Sequence, residues 1–453
     1  MRRRRQGFTL VELLVAMALV MFIMAILSQA FAAATQTFRD LKSAADMAEK
    51  LRTTTGIMRR YLASDHFEGK RRLSDPNFWQ NGPPREGFFR VWHGAPSFFE
   101  GHGLDANEPP SLLSTSHALH FTVKLRGNQR DDYFSATPVS GSPLPGLPQY
   151  GSILWQAQPE TRYEDSVFPA SVGALYNWQW AEVAFFLQPT GDNANGTPLY
   201  ALYLRHMLSL HDNFGGTSLG VSGTLQSSIP GYLEVSCQPD PSGATSNLYF
   251  NTPLDLTMPI RRFNMWAPGI TPNLAGWPIG WPGGPPNLYS ASNPFPYPRF
   301  QDQMQGVTAA QISAYASLDL LLANVISFDV RLLTALPPTG STGGPYAGAN
   351  WDAFEDLFQL TSSSRSSGGV PSSYGVNNPT FSASGPLVFD TWSSNRDDTY
   401  DYTSWATPGT PASIPILNNA QGVPITIRAV QVTLRVWDEK TQLTRQVTFV
   451  QEL

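Results

Sequence analysis

The stretch MRRRRQGFTLVELLVAMALVMFIMAIL, residues 1–27, decides how the rest of the chain is read. Four arginines, Arg2 to Arg5, stand before an apolar run. A basic end of this kind stays on the cytoplasmic side of a membrane. The apolar run from Phe8 to about Ala34 is long enough to cross the hydrocarbon of a bilayer as a helix. One acid, Glu12, interrupts it. An ionised carboxylate inside a membrane helix costs about 2.5–3.5 kcal/mol on insertion scales, so Glu12 calls for a partner.

Gly7-Phe8-Thr9-Leu10-Val11-Glu12 resembles the processing motif of type IV prepilins and pseudopilins. In that family a membrane aspartyl peptidase cuts after the glycine and methylates the new N-terminal residue. The resemblance implies a cut between Gly7 and Phe8, N-methylation of Phe8, and Glu12 as the fifth residue of the mature chain. It also implies that the Glu12 carboxylate and a neighbouring subunit's terminal amine neutralise each other in lipid. The rival reading is an ordinary secretory signal peptide, with an apolar core from Leu13 to Leu27 and a cleavage site at Ala32-Ala33-Ala34. An acid at the start of the apolar core counts against it, as does a helical pattern that continues beyond Ala34.

Phe38, Leu41, Ala45, Ala48, Leu51, Thr55, Met58 and Leu62 recur at three and four residues and mark one helical stripe. No proline occurs between Phe8 and Asp75. The pattern predicts a helix of about 55 residues, roughly 80 Å long at 1.5 Å per residue. Its first half would lie in lipid or in a filament core, and its second half would lay the stripe on the body. The chain divides into a leader at 1–7, a hydrophobic and amphipathic helix at 8–65, and a body at 66–453.

The body has a different composition. Charged residues are 14% of the 453, below the roughly 25% usual for soluble domains. The 37 glycines and 38 prolines are too many for a helical bundle, and aromatics at 12% are too many for a disordered chain. Residues 1–72 carry a net charge of +7 and residues 73–453 a net −12. A surface at −12 repels phosphate backbones, so nucleic acid is excluded as a partner for most of it. Cys237 is the lone cysteine, which excludes an intramolecular disulfide and a cysteine-based zinc site.

Period-two alternation predicts strands at Leu119–Leu125, Trp178–Leu187, Leu199–Ser209 and Ile326–Leu332, the last after a short helical segment near Ala309–Leu322. At the C-terminus, Arg428–Val436, a turn at Asp438–Thr441 and Leu443–Val450 read as a hairpin. The fold class is therefore α+β: a long N-terminal helix followed by a large antiparallel β-rich body with long Gly/Pro loops. The helix, Leu321–Arg331 and Arg428–Val436 together resemble the J-type minor pseudopilins of type II secretion and the similar W-type minor type IV pilins. Residues 263–300 hold Trp266, Trp277 and Trp281 among prolines and read as a loop insertion, as does 337–386.

Catalytic motifs fail on context. Gly216-Thr217-Ser218-Leu219-Gly220 fits G-x-S-x-G but lacks the strand before it and the helix after it that a nucleophile elbow needs. His117 and His120 stand three apart on a strand and point to opposite faces, which makes them poor metal ligands as a pair. Asp397, Asp398 and Asp401 are candidate Ca²⁺ ligands, although their spacing is not that of an EF-hand and a solvated acidic loop explains them. The expectation is a structural subunit, not an enzyme, with no cofactor. Its expected partners are prepilin peptidase, other pilin-type subunits through the N-terminal helix, and the inner membrane, with the body periplasmic or at a filament tip. The alternatives are a surface pilus subunit with an adhesive body and an exported soluble protein.

Overall fold

The computed structural model describes residues 9–75, 77–78, 84–93, 98–100, 111–115, 117–127, 129–136, 176–210, 219–220, 236–239, 247–257, 262, 320–334, 354, 387–391, 427–439 and 441–453. Helix α1 spans Leu10–Leu62 without a break. No proline interrupts it, packing against the body carries it through Thr53-Thr54-Thr55 and Gly56, and Arg59 and Arg60 in the last turn complement the negative end of its dipole. It stops at Ala63, whose N–H still donates back to the Arg59 carbonyl.

The helix has two environments. Residues 9–34 are all exposed. Beyond them Ser43, Met47, Leu51, Thr54, Thr55, Met58 and Leu62 are buried against the body. The body-facing stripe therefore contains Leu51, Thr55, Met58 and Leu62 as expected, but not Phe38, Leu41 or Ala45. At about 100° per residue these three lie on the far side of the helix from Met47, Thr54 and Met58. The body covers only the near side, and Phe38 stays 70% exposed and Leu41 65%.

Among the described residues eight strands form one sheet, antiparallel at every pairing. In chain order they are β1 (Phe89–His93), β2 (His117–Lys124), β3 (Trp180–Ala194), β4 (Thr197–Leu208), β5 (Leu320–Thr334), β6 (Leu387–Asp390), β7 (Ile427–Asp438) and β8 (Leu443–Glu452). Their order across the sheet is β6-β1-β2-β3-β4-β5-β7-β8. Leu320, Leu321 and Leu322, placed by sequence in a helical segment, begin β5 instead. Leu320 pairs with Tyr203 and Leu322 with Leu202 across β4. A run of leucines fits helix or strand equally well, and the exposed ladder of β4 settles it. The rest of that segment, 309–319, lies outside the described residues.

Two hairpins organise the sheet. β3 and β4 turn at Asn195-Gly196, both at positive φ (50° and 92°), the conformation a tight hairpin requires of its central residues. β7 and β8 turn after Asp438, whose carboxylate accepts from the Thr441 N–H at 2.9 Å and from its hydroxyl at 2.8 Å. Their ladder then runs from Asp438↔Leu443 to Ala429↔Glu452 with no shift of register.

One face of the sheet meets α1. Leu119, Phe121 and Val123 of β2, Val183 and Phe185 of β3, Phe328 and Val330 of β5, and Val430, Val432 and Leu434 of β7 form one core with Met58 and Leu62. Tyr61 stacks edge-on against Phe185 with ring centres 6.1 Å apart. His66 fastens the chain just after the helix: its Nδ1 lies 2.7 Å from the Thr122 carbonyl. Met58 is completely buried between helix and sheet. Met58→Ala should therefore lower the unfolding free energy of the body by about 2–5 kcal/mol in denaturant titration, with the slope unchanged.

Candidate functional site

The start of α1 is built by two residues. Thr9 is the N-cap, and its hydroxyl accepts from the Glu12 N–H at 3.3 Å. The Glu12 Oε2 accepts in return from the Thr9 N–H at 2.9 Å and from the Thr9 hydroxyl at 3.0 Å. This reciprocal box satisfies donors that a helix end otherwise leaves bare. The signal for it, a threonine three residues before a glutamate at the head of an apolar run, stands in the sequence. Gly7 and Phe8 lie outside the described residues, as do Asp397, Asp398 and Asp401, the Trp-bearing segment 263–300, and Gly216 to Ser218.

From Leu10 onward the helix offers apolar side chains on every side, and its 18-residue apolar window has no buried residue. Farther along the offer narrows to one face. Phe31, Ala34, Phe38, Leu41 and Ala45 recur at helical spacing, all exposed, with Phe31 76% exposed. This face points away from the body. Beside it, a polar cleft lies between α1 and the β7–β8 turn, with Arg39, Lys42 and Asp46 on one wall and Asn324, Asp438 and Glu439 on the other. Arg445 of β8 donates to the Ala44 carbonyl of α1 at 2.8 Å.

Across β1 to β4 the second face of the sheet is buried as well, and Arg90, His120, Thr122, Glu182 and Arg205 make it polar there. The Arg262 guanidinium donates to Asp390 at 2.6 Å, to the Leu256 carbonyl at 2.7 Å and to the Thr257 carbonyl at 2.8 Å. It also lies 3.7 Å from the centre of the Phe88 ring. These contacts tie Arg262 to Asp390 of β6, to Phe88 just before β1, and to the turn at Leu256 and Thr257. Next to it His120 Nε2 is 2.8 Å from Glu182, and the Ser236 hydroxyl donates to the other Glu182 oxygen at 2.5 Å. A serine, a histidine and an acid thus meet, but in the wrong order for catalysis. The acid sits in the middle, so the histidine cannot take the serine's proton. All three are buried. The cluster ties Ser236 and Asn251 to β2 and β3.

His117 and His120 do take opposite faces of β2. His117 accepts from the Val330 N–H at 3.1 Å on the helix-facing side. Among the described residues no group of histidine, cysteine and carboxylate side chains is arranged to hold a metal.

Residues 2–28 match the family described as the prokaryotic N-terminal methylation motif. No curated protein and no solved structure matches the chain. The match supports a type IV pilin-like protein with a prepilin cleavage and methylation motif, a class of structural subunits processed by prepilin peptidase and assembled with other pilin-type chains. The exposed apolar helix fits a single membrane anchor.

Burial pushes the His117 imidazole down to about 4, assisted by the charge of Arg331 and opposed by Asp329. Burial also lowers His66 and His120, against the hydrogen bonds that each makes. The folded state keeps these rings neutral, so the unfolded chain takes up protons first as the pH falls. Stability from His117 should be complete above about pH 6.5 and decline by about 3 kcal/mol on acidification to pH 4. Unfolding titrations across that range should show the loss, and His117→Asn should reduce it by the His117 share while His66 and His120 keep the remainder.

Proposed function

We propose that the chain is a minor subunit of a type II secretion pseudopilus, seated at or near its tip and taking part in filament initiation and protein export. The observation that carries this is the joining of a processing motif to an apolar helix that continues, unbroken, into the core of the body. Prepilin peptidase removes 1–7 and methylates Phe8. The exposed helix joins those of other subunits, first in the inner membrane and then in the filament. The exposed face through Phe38 and Leu41 extends that packing beyond the lipid. The body, 66–453, lies in the periplasm. Its size favours an end position, because a bulky body stacks poorly in a repeating shaft. The two segments that resemble J-type pseudopilins, Leu321–Arg331 and Arg428–Val436, lie side by side as β5 and β7.

Glu12 has two jobs in this reading: it caps its own helix, and it meets the amine of a neighbour's Phe8. Glu12→Gln separates them, since glutamine also serves the cap but carries no charge. Mass spectrometry should find N-methyl-Phe8 in wild type and in Glu12→Gln, and an uncut precursor in Gly7→Val. Co-isolation of Glu12→Gln with partner subunits should fall about tenfold. Undiminished co-isolation would leave the cap as the sole role of the residue, and an N-terminus at Thr35 would favour the signal peptide. Deleting the chain should deplete exported proteins from the medium while surface pili persist. Lost adhesion with intact export would identify a pilus subunit instead.

A further inference from the structure

The two edges of the sheet are unlike. β6 is four residues long and ends in the buried Asp390, an inward charge of the kind that discourages further pairing. β8 is ten residues long, contains neither proline nor glycine, and pairs with β7 without a bulge. Among the described residues no strand covers its outer side. Its ladder has a definite phase. The Leu453 N–H donates to the Arg428 carbonyl at 3.1 Å, one step beyond the pair Ala429↔Glu452. Hydrogen-bonded pairs alternate along an antiparallel ladder, so odd-numbered residues of β8 bond to β7. The N–H and C=O groups of Thr444, Gln446, Thr448, Val450 and Glu452 point outward. All five residues are exposed.

Resting on the proposed function, we infer that the outer edge of β8 receives an extended strand from a different subunit of the assembly, which lengthens the sheet through the main chain. The orientation of α1 decides against a second copy of this chain using the same edge. Ala44 meets Arg445, and the Arg59 guanidinium lies 5.2 Å from the centre of the Phe449 ring. Helix and strand therefore run in the same sense. Two copies joined by their β8 edges would be related by a two-fold axis normal to the sheet. That axis would reverse one helix against the other, and two chains inserted from the same side of one membrane cannot adopt that arrangement. The receiving edge lies next to the helix, so a subunit packed on the helix is close enough to supply the strand. Its residues should alternate polar and β-branched, since the outward-pairing row of β8 presents Thr444, Gln446, Thr448 and Val450 to their cross-strand neighbours.

Amide hydrogen exchange on the full chain, alone in detergent and after isolation with its partner subunits, tests this. Alone, the amides of Gln446, Thr448 and Val450 should exchange fast while Val447 and Phe449 are protected. In the assembly the even-numbered set should slow at least a hundredfold. Thr448→Pro removes one outward donor and none of the β7–β8 main-chain bonds; it also loses the 2.9 Å contact of the Thr448 hydroxyl with that of Thr433, a loss that Thr448→Val shares. It should be processed and melt within a few degrees of wild type, yet co-isolate about tenfold less with its partners. Thr448→Val, which keeps the N–H, should co-isolate within twofold of wild type. Even-numbered amides that stay fast in an assembly containing the processed chain overturn the inference and leave the proposed function intact. A chain that keeps residues 1–7 and never co-isolates with a second pilin-type subunit overturns both.

Discussion

Lipid offers no hydrogen bonds to a peptide group, and the rest of this structure follows from that. A segment that crosses a bilayer must satisfy its own backbone, which a helix does along its length but not at its ends. Here Thr9 and Glu12 close the first turn on each other. The polar group that is costly in hydrocarbon thus meets the polar groups the helix end leaves bare. From that start the ladder continues to Leu62. Because it never breaks, the element that anchors the chain also forms the spine of the body's core, with Met58 and Leu62 inside the same cluster as Phe121 and Val432.

Much of this was legible in sequence, and the limits are physical. The helix is readable because nothing between Phe8 and Asp75 breaks it, and the β7–β8 hairpin because its valines and leucines alternate strictly beside a turn. Sidedness is harder. Periodicity marks Phe38, Leu41 and Ala45 as apolar and periodic, but it does not say whether the body or a neighbour covers them. The body ends short of their side. The hairpin of β3 and β4 had its own signal, Asn195-Gly196, which alternation alone passes over. The N-terminal cap likewise had one in the spacing of Thr9 and Glu12, hidden by the reading of Glu12 as a residue awaiting an external partner.

The buried polar layer had no such signal. Arg90, Glu182 and Arg205 occupy alternate positions in otherwise apolar strands, the pattern of a sheet with one wet face. Ser236, Asn251 and Arg262 lie against that face, and the three charged side chains are almost wholly shielded from water. Local sequence cannot report a cover that arrives from a distant part of the chain. Removing one partner from such a layer is costly, since the other charge is then stranded away from water. The ionic contact of Arg262 with Asp390 thus joins two parts of the chain 128 positions apart.

A continuous helix also has mechanical meaning. A flexible linker between anchor and body would absorb displacement of one before the other moved. Here the span of α1 that is bare of protein and the span packed beneath the sheet belong to one rod, with no proline and only Gly56 as a soft point. Gly56 lies within the part that the sheet braces, between Thr55 and Met58, where bending is opposed by packing. A push or a turn applied to the membrane end is therefore delivered to the body with little lost to flexure. The load meets the β7–β8 side first, where Arg445 grips the helix.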